Sequence, residues 1–177
     1  MMAGSYFLRM NDGTPTKTVT GVFRGDICVY REDRMTRETY PADDPRGAFR
    51  FRINFVVNEN GAMTAKIFNS STGTHKALTD YINNLKAQGK DYTKVITKLT
   101  RTGQGVETTY TMEEVPQALT PQQLSALNGI RLLNLEPKSK TTTTFNDFGT
   151  TKPAASTGFG ADSACAIATP NPDNVPF

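Results

Sequence analysis

Apolar and polar residues alternate along the central segment of the chain, residues 48–57, which predicts one long strand with two faces. The apolar positions are Phe49, Phe51, Ile53, Phe55 and Val57. The positions between them include Arg50, Arg52 and Asn54. Because side chains alternate across a strand, the apolar row can line a core while the arginines face outward. Outward arginines suit a surface that holds phosphates, although an ordinary strand with a solvated face has the same pattern.

The same alternation predicts further strands on both sides of this segment. The first covers residues 17–30 and is interrupted by Gly21 and Gly25. Glycine within a strand often marks a bulge or a sharp bend, which a small closed barrel needs. The other strands are predicted at residues 63–68, 94–101 and 106–113. A short apolar stretch at residues 6–10 is a candidate edge strand.

Two helices are predicted from apolar residues at helical spacing. The first covers residues 74–88 and ends before Gly89. The second is short and follows Thr120, which can cap it, with Pro121 at its first position. The apolar residues after it are expected to pack back on the body, and they are Ile130, Leu132, Leu133 and Leu135.

The order of these elements predicts a fold class. Three strands precede the long helix and two follow it, which is the order of the OB-fold, a small and partly open Greek-key barrel. We therefore predict a mainly β protein: a five-stranded OB-fold barrel with a helix between strands 3 and 4, a short C-terminal helix and a disordered tail. Residues 138–177 should be disordered because they hold too few large apolar side chains to offset their ordering entropy.

OB-folds bind oligonucleotides on strands 2 and 3 and on the loops that join strands 1–2 and 4–5. In this chain those positions are rich in basic and aromatic side chains. The candidate nucleic-acid-binding residues are Arg24, Arg31, Arg34, Arg37, Tyr40, Arg46, Arg50, Arg52, Lys66, Phe68, Lys98 and Arg101. Basic side chains would neutralise phosphates and aromatic ones would stack on unpaired bases. The loop at residues 31–47 also carries carboxylates, so its own charge is mixed.

The length and charge of the chain fit this interpretation. A chain of 177 residues suits one domain with some length left over, and its formal net charge is +3. The excess of Lys and Arg lies in residues 1–112, which weakly favours a polyanion partner. Cys28 and Cys165 lie in different regions, so a disulfide framework is not expected and a reducing compartment fits better. The chain shows neither a signal peptide nor an apolar run of membrane-spanning length, so we expect a cytoplasmic protein.

Enzymatic chemistry is the main alternative class, and the sequence offers little to support it. His75, the one histidine, lies at the start of the predicted helix and is interpreted as a capping or surface residue. Asp43 and Asp44 have no third carboxylate at a spacing typical of a metal-dependent nuclease. Cys28 on a strand fits a small buried residue better than a nucleophile. We therefore predict no catalytic residue, no metal site and no cofactor.

The C-terminal residues Asp173, Val175, Pro176 and Phe177 resemble the tip of bacterial single-stranded DNA-binding proteins. That family ends in acidic residues followed by an apolar-Pro-Phe sequence, and the tip recruits replication and repair proteins. The resemblance implies that the ring of Phe177 enters an apolar pocket of a partner while its carboxylate meets a basic side chain. Asp173 is a single acid where the family carries a run of acids.

The body of the chain is similar to the single-stranded DNA-binding proteins of tailed bacteriophages. The similarity covers roughly residues 17–116 and is most distinctive in the Thr-Arg-x-Gly-x-Gly hairpin that begins at Thr100. It implies an OB-fold accessory protein of phage DNA replication or recombination. Some phage relatives insert a metal-binding Cys/His cluster after the first strand. Residues 31–47 contain neither Cys nor His here, so a zinc site is not carried over.

These observations together predict a non-enzymatic protein that binds single-stranded DNA in the cytoplasm of an infected host cell. Its regions would be an OB-fold core over 1–116, a short helical extension over 117–137 and a disordered tail with an interaction tip over 138–177. Its partners would be single-stranded DNA and, through the tip, replication or recombination proteins. An OB-like protein-interaction module, a virion structural module and an RNA-binding domain remain alternatives.

Overall fold

The computed structural model describes residues 6–137, which form an antiparallel sheet with two α-helices. The strands are β1 (Thr16–Glu32), β2 (Thr39–Tyr40), β3 (Ala48–Glu59), β4 (Ala62–Ser71), β5 (Thr97–Thr102) and β6 (Thr109–Glu114). The helices are α1 (Thr72–Ala87) and α2 (Pro121–Gly129), and short 3-10 turns lie at Tyr92–Lys94 and Gly105–Glu107. The predicted mainly β class is confirmed. The predicted tail and its tip lie outside the described residues.

The strands pair in the order β4-β3-β1-β5-β6, and the two-residue β2 pairs with the end of β1. All of these pairs are antiparallel. The main strands lie where the sequence predicts them, and α1 joins the third to the fourth of them. The sheet as hydrogen-bonded is open, with β4 and β6 at its two ends. Closure into the predicted barrel is therefore not confirmed.

One of the two glycines of β1 lies in a bulge, as the sequence predicts. Between Arg24 and Cys28 the register with β3 shifts, and Gly25 within the bulge has φ +71°. Only glycine adopts this conformation without steric cost. Gly21 instead lies in regular register with Val57 and Thr97, where the strands approach so closely that a β-carbon would collide with the Val56 carbonyl oxygen. Glycine is therefore needed at one position for backbone conformation and at the other for close approach.

One side of the sheet, the inner face, holds the main hydrophobic core. The apolar row of β3 is buried there, with Phe51, Ile53 and Phe55 at 0% exposure. Phe23 of β1 packs on Phe55 with their ring centroids 4.7 Å apart. Each such side chain contributes roughly 1.5–3 kcal/mol to folding by leaving water. The other buried members are Met10, Val57, Phe68, Leu78, Ile82 and Leu99, the two residues Leu78 and Ile82 coming from α1.

The opposite side of β1, β3 and β4, the outer face, carries Arg50, Arg52 and Asn54 and a second apolar cluster. Its buried members are Val22, Val56, Ala65 and Leu127. Ile130 and Leu133 pack against this cluster. The residues after α2, the C-terminal segment (residues 130–137), therefore fold back on the body, and the expectation is confirmed for these two residues.

Helix ends follow the predicted signals. Thr120 and Gln123 form a complete capping box before α2, with Pro121 as the first helical residue. After α1, Gly89 has φ +71° and its N–H donates to the Lys86 carbonyl at 2.9 Å. Both helices thus begin or end at residues whose backbone preferences suit the position. Neither helix in the described range is long and apolar enough to cross a membrane.

The N-terminal residues lie along the free edge of β4. The Leu8 N–H donates to the Ile67 carbonyl at 2.9 Å, and the Ile67 N–H donates to the Tyr6 carbonyl at 2.7 Å. These two bonds form a parallel bridge between Phe7 and Ile67. The candidate edge strand at residues 6–10 is thus a single bridge, and Met10 beyond it is buried in the core.

Candidate nucleic-acid interface

The four residues predicted to form one binding face on the second and third strands divide between two faces. Lys66 lies opposite Phe55, and Phe68 lies opposite Ile53. Directly opposed residues of an antiparallel pair project to the same side, so both belong to the inner face. Phe68 is 1% exposed. The expectation that these two share a surface with Arg50 and Arg52 is wrong, because they project to the inner face and the two arginines project to the outer face.

Lys66 is largely shielded on that inner side. Its side chain is 12% exposed, and its ammonium group lies 3.1 Å from the carboxylate of Glu59. Phe68 contacts the ring of Tyr110 on β6, with the centroids 5.3 Å apart. The core side of β4 therefore uses Phe68 for packing and holds Lys66 in an ion pair.

Arg101 and Lys98 were both predicted beside the loop that joins the last two strands. Arg101 is 3% exposed, and its guanidinium donates to the Thr14 carbonyl at 3.2 Å. Arg101 therefore lies beside the predicted loop, but its guanidinium is buried and is not presented at the surface. Lys98 is exposed on the other face, and its ammonium group lies 3.2 Å from the Glu113 carboxylate.

The arginines of the loop at residues 31–47 are mostly bonded within the loop. Arg37 pairs with Glu32 at 2.8 Å, and Arg46 pairs with Asp44 at 2.7 Å. Arg46 also lies over the ring of Tyr40, 4.2 Å from its centroid. The nearby carboxylates are local in sequence, and they neutralise these cations within the loop.

Protonation in this loop reflects the same pairing. The hydrogen bonds from the Arg46 side chain and backbone lower the pKa of Asp44 to about 2. The hydrogen bond to Glu38 raises the pKa of Tyr40. Arg31 donates instead to two backbone carbonyls, those of Ala42 at 3.0 Å and Gly47 at 3.3 Å. Arg34 is exposed at the end of the loop nearest β1.

Three arginines on the outer face differ from Arg37 and Arg46, because no carboxylate of the described chain lies within ion-pair distance of them. Arg31 and Arg34 of the loop share this property, but they do not lie on the outer face of the sheet. We call Arg24, Arg50 and Arg52 the arginine face. Arg24 lies opposite Asn54 in the register, and Arg52 and Arg50 precede Asn54 on the same side of β3. All seven ion pairs between described residues involve other cations. The arginine face therefore keeps its positive charge uncompensated.

Arg52 is held by aromatic rings and by the chain's own backbone. Its guanidinium carbon lies 4.7 Å from the centroid of the Tyr30 ring and 5.6 Å from that of Phe7. One terminal nitrogen donates to the Leu135 carbonyl at 3.4 Å. The Arg52 Nε atom is buried and has no partner in the described chain. Stacking on rings orients a guanidinium and leaves its edge for acceptors.

Asn54 fastens the C-terminal segment to the outer face. Its amide nitrogen donates to the Leu133 carbonyl at 3.1 Å, and the Leu133 N–H donates to its amide oxygen at 2.9 Å. The Asn54 side chain thus makes the same pair of hydrogen bonds, one donated and one accepted, that the backbone of a neighbouring strand would make. It is 2% exposed. The segment thus covers the outer face at Asn54 and reaches Arg52, while Arg50 lies beyond its hydrogen bonds.

Arg24 lies at the other margin of the covered region. Its guanidinium contacts the side-chain oxygen of Asn128 and the carbonyl of Thr93, each at 3.4 Å. These are long contacts to neutral acceptors. Arg24 therefore keeps its full charge at the boundary between the sheet and α2.

The structure brings one aromatic residue, Phe7, to the arginine face that the sequence did not indicate. Phe7 is 44% exposed and forms the N-terminal bridge on β4. The local sequence carried a weak signal, since aromatic residues stand next to Leu8 and Arg9 near the chain start. The nearness of Phe7 to Arg52 follows only from the pairing with Ile67.

Two of the residues considered for enzyme chemistry, His75 and Cys28, are packed within the protein. His75 packs against the edges of Phe49 and Phe51, with centroid distances of 5.1 and 5.4 Å, and burial lowers its pKa. Cys28 is 3% exposed. In residues 6–137, His, Cys, Asp and Glu side chains form no group of three that could hold a metal ion.

Comparison of the chain with protein-family models, with curated proteins and with solved structures gives no match. The fold and the outer face define a mainly β protein whose antiparallel sheet presents three arginines without carboxylate partners, one of them beside the exposed ring of Phe7.

Proposed function

We propose that this protein binds single-stranded DNA without sequence preference, as a non-enzymatic accessory of phage DNA replication or recombination. The observation that carries the proposal is the arginine face, Arg24, Arg50 and Arg52, which has no carboxylate partner in the described chain. A cation that is already paired must break that pair to bind a phosphate, whereas an unpaired one gains a charge-assisted bond directly. The exposed ring of Phe7 lies beside it, with its centroid 5.6 Å from the Arg52 guanidinium carbon.

The proposal includes an OB-fold for the core. The strand order β4-β3-β1-β5-β6 is consistent with it, since the sheet needs only a meeting of β4 and β6 to close. The ring contact between Phe68 of β4 and Tyr110 of β6 supports such curvature. In this interpretation the outer face of β3 and β4 corresponds to the usual ligand surface of that fold.

Partner recruitment by the C-terminal tip belongs to the same proposal. Asp173, Val175, Pro176 and Phe177 lie outside the described residues, and the support is their resemblance to the tip of bacterial single-stranded DNA-binding proteins. The described chain ends at residue 137 next to the outer face, where Leu135 contacts Arg52. The remaining residues thus start beside the proposed DNA site.

One observation favours the alternative of a protein-interaction or virion structural module. The outer sides of β1, β5 and β6 carry two aligned rows of threonine across the three strands. The rows are Thr16, Thr102 and Thr109, and Thr18, Thr100 and Thr111. Such a surface is largely exposed and uncharged, so it suits a protein partner better than a polyanion.

The test of the proposal is fluorescence anisotropy of a labelled oligo-dT and a matched duplex at low and physiological salt. We expect the protein to prefer the single strand and to lose affinity as salt rises. Arg50→Ala plus Arg52→Ala should weaken binding about 10- to 100-fold and lower the salt slope by about 1.4, because two phosphate contacts to a single strand are lost.

The matched control is Lys90→Ala plus Lys94→Ala, which removes two positive charges that are paired with Glu114 and Asp91. It should change affinity much less than the arginine variant. Absence of binding to oligo-dT at low salt would contradict the proposal and leave the threonine surface as the main lead. Equal effects of the two double variants would assign binding to net charge and not to the arginine face.

A further inference from the structure

The N-terminal bridge presents aromatic surface to solvent at a fixed place. Among the described residues the large hydrophobic side chains classed as exposed are Tyr6, Phe7, Met35 and Val106. Met35 and Val106 lie in loops, whereas Phe7 is paired with Ile67 of β4. The sheet therefore fixes the position of the Phe7 ring, which is 44% exposed and lies beside the Arg52 guanidinium.

The backbone on both sides of Phe7 is anchored. Hydrogen bonds of 2.9 and 2.7 Å join Leu8 and Tyr6 to Ile67. Leu8 packs against the main core, and Met10 is 4% exposed within it. These contacts hold the position of the Phe7 ring, so its stacking surface needs little ordering when a ligand arrives.

Cations lie where a nucleotide stacked on Phe7 would need them. The Arg52 guanidinium is 5.6 Å from the ring centroid. Arg50 is two residues away on the same side of β3, about 6.6 Å along the strand. A partly exposed ring with a guanidinium beside it matches the two parts of a nucleotide, a flat base and an anionic phosphate.

We infer that Phe7 is a stacking site for one unpaired nucleobase, with Arg50 and Arg52 meeting the adjoining phosphates, so that the N-terminal bridge is part of the binding site. This inference rests on the proposed function and deepens it. A paired base inside a duplex cannot offer its face to the ring. Phe7 is then a residue through which the site prefers single strands over duplex.

The chain contains no tryptophan, so Phe7→Trp introduces a single fluorescent reporter at the proposed stacking site. Its emission should fall when oligo-dT is added and should change little with an oligonucleotide of the same length made only of abasic sites. Asn83→Trp, at an exposed position of α1, is the matched control and should respond to neither probe. A Phe7→Trp signal that does not distinguish the two probes would overturn the inference.

The binding affinity of Phe7 variants gives a test that is independent of the fluorescence signal. Phe7→Leu keeps an apolar side chain on the bridge but removes the ring, and should weaken oligo-dT binding about 5- to 150-fold, which is the range for one stacked base. Its affinity for the abasic probe should equal that of the wild type, and Phe7→Tyr should bind oligo-dT normally. Thermal melting checks that each variant is folded.

The outcomes separate this inference from the proposed function. If the wild type does not bind oligo-dT, the proposed function itself fails. If the wild type binds in the expected salt-dependent manner and Phe7→Leu binds equally well, only the stacking site is wrong. An equal loss for oligo-dT and the abasic probe would show that Phe7 positions Arg52 and does not contact a base.

Discussion

Both the loop at residues 31–47 and the arginine face on β3 and β1 carry arginines. Two of the loop arginines are paired with carboxylates, whereas those of the arginine face are not. In the loop, Arg37 and Arg46 lie within 2.8 Å of the carboxylates of Glu32 and Asp44. On the outer face, Arg50 and Arg52 have no carboxylate at ion-pair distance among the described residues. A loop can fold onto its own sequence neighbours, whereas a strand holds adjacent side chains apart on alternate sides. The number of arginines in a segment is therefore a poor measure of how well that segment can bind phosphate groups.

The strongest test of this difference between the loop and the arginine face is to remove two arginines from each. Arg37→Ala plus Arg46→Ala should change oligo-dT affinity by less than about threefold, against the 10- to 100-fold loss expected for Arg50→Ala plus Arg52→Ala. Each pair of substitutions removes the same formal charge, so each variant is the other's control. Anisotropy titrations at two salt concentrations measure both. If the loop variant weakened binding as much as the strand variant, internal pairing would not be what distinguishes the regions.

The outer face also differs from the loop because the C-terminal segment covers part of it and is held there by two hydrogen bonds of Asn54. Substitution of Asn54 tests how much these bonds contribute. Asn54→Ala removes both hydrogen bonds to Leu133 from a buried site and should lower the free energy of unfolding by about 1–3 kcal/mol. Urea denaturation followed by circular dichroism measures this loss. Asn58→Ala is a suitable control, because Asn58 is exposed on the same strand and its side chain accepts one bond, from the Gly61 N–H. A loss no greater than that of the control would mean that the C-terminal segment is held mainly by its apolar contacts.

The smallest expected effect is the pH response of the loop pair. The pKa of Asp44 is lowered to about 2 in the folded protein from an ordinary value of 3.8. Its contribution to stability is therefore present above pH 4 and is lost as pH falls through about 2. Arg46→Ala should make the decrease in melting temperature between pH 4 and pH 2 slightly shallower. Because the pair is exposed to solvent, the difference should be small and should shrink further in high salt.

A steeper acid response of Arg46→Ala than of the wild type would contradict that sign. Asp91 offers a parallel case, since hydrogen bonds from Thr93 lower its pKa and Lys94 lies 3.3 Å away. Lys94→Ala should leave most of that shift in place, because the hydrogen bonds from Thr93 are its larger cause.

The sequence by itself determined the order and type of the elements. The strands, α1 and α2, the bulge at Gly25 and the cap at Thr120 all follow from local periodicity and backbone preference, and all are present. The boundaries of two strands differ from the predicted ones. The predicted strands at 94–101 and 106–113 are shorter at their starts, where 3-10 turns lie at Tyr92–Lys94 and Gly105–Glu107. Local signals are sufficient for these features because each depends on residues close together in the chain.

Only the tertiary structure decided which face of β4 is buried and which arginines stay unpaired. Lys66 and Phe68 share one side of that strand, and apolar residues such as Ile67 occupy the other, so alternation alone could not choose. Asn54 bonds to a residue 79 positions away, and Phe7 reaches Arg52 only through the bridge to Ile67. Contacts between distant residues carry no local pattern, and they assemble the candidate interface from the beginning, middle and end of the described chain.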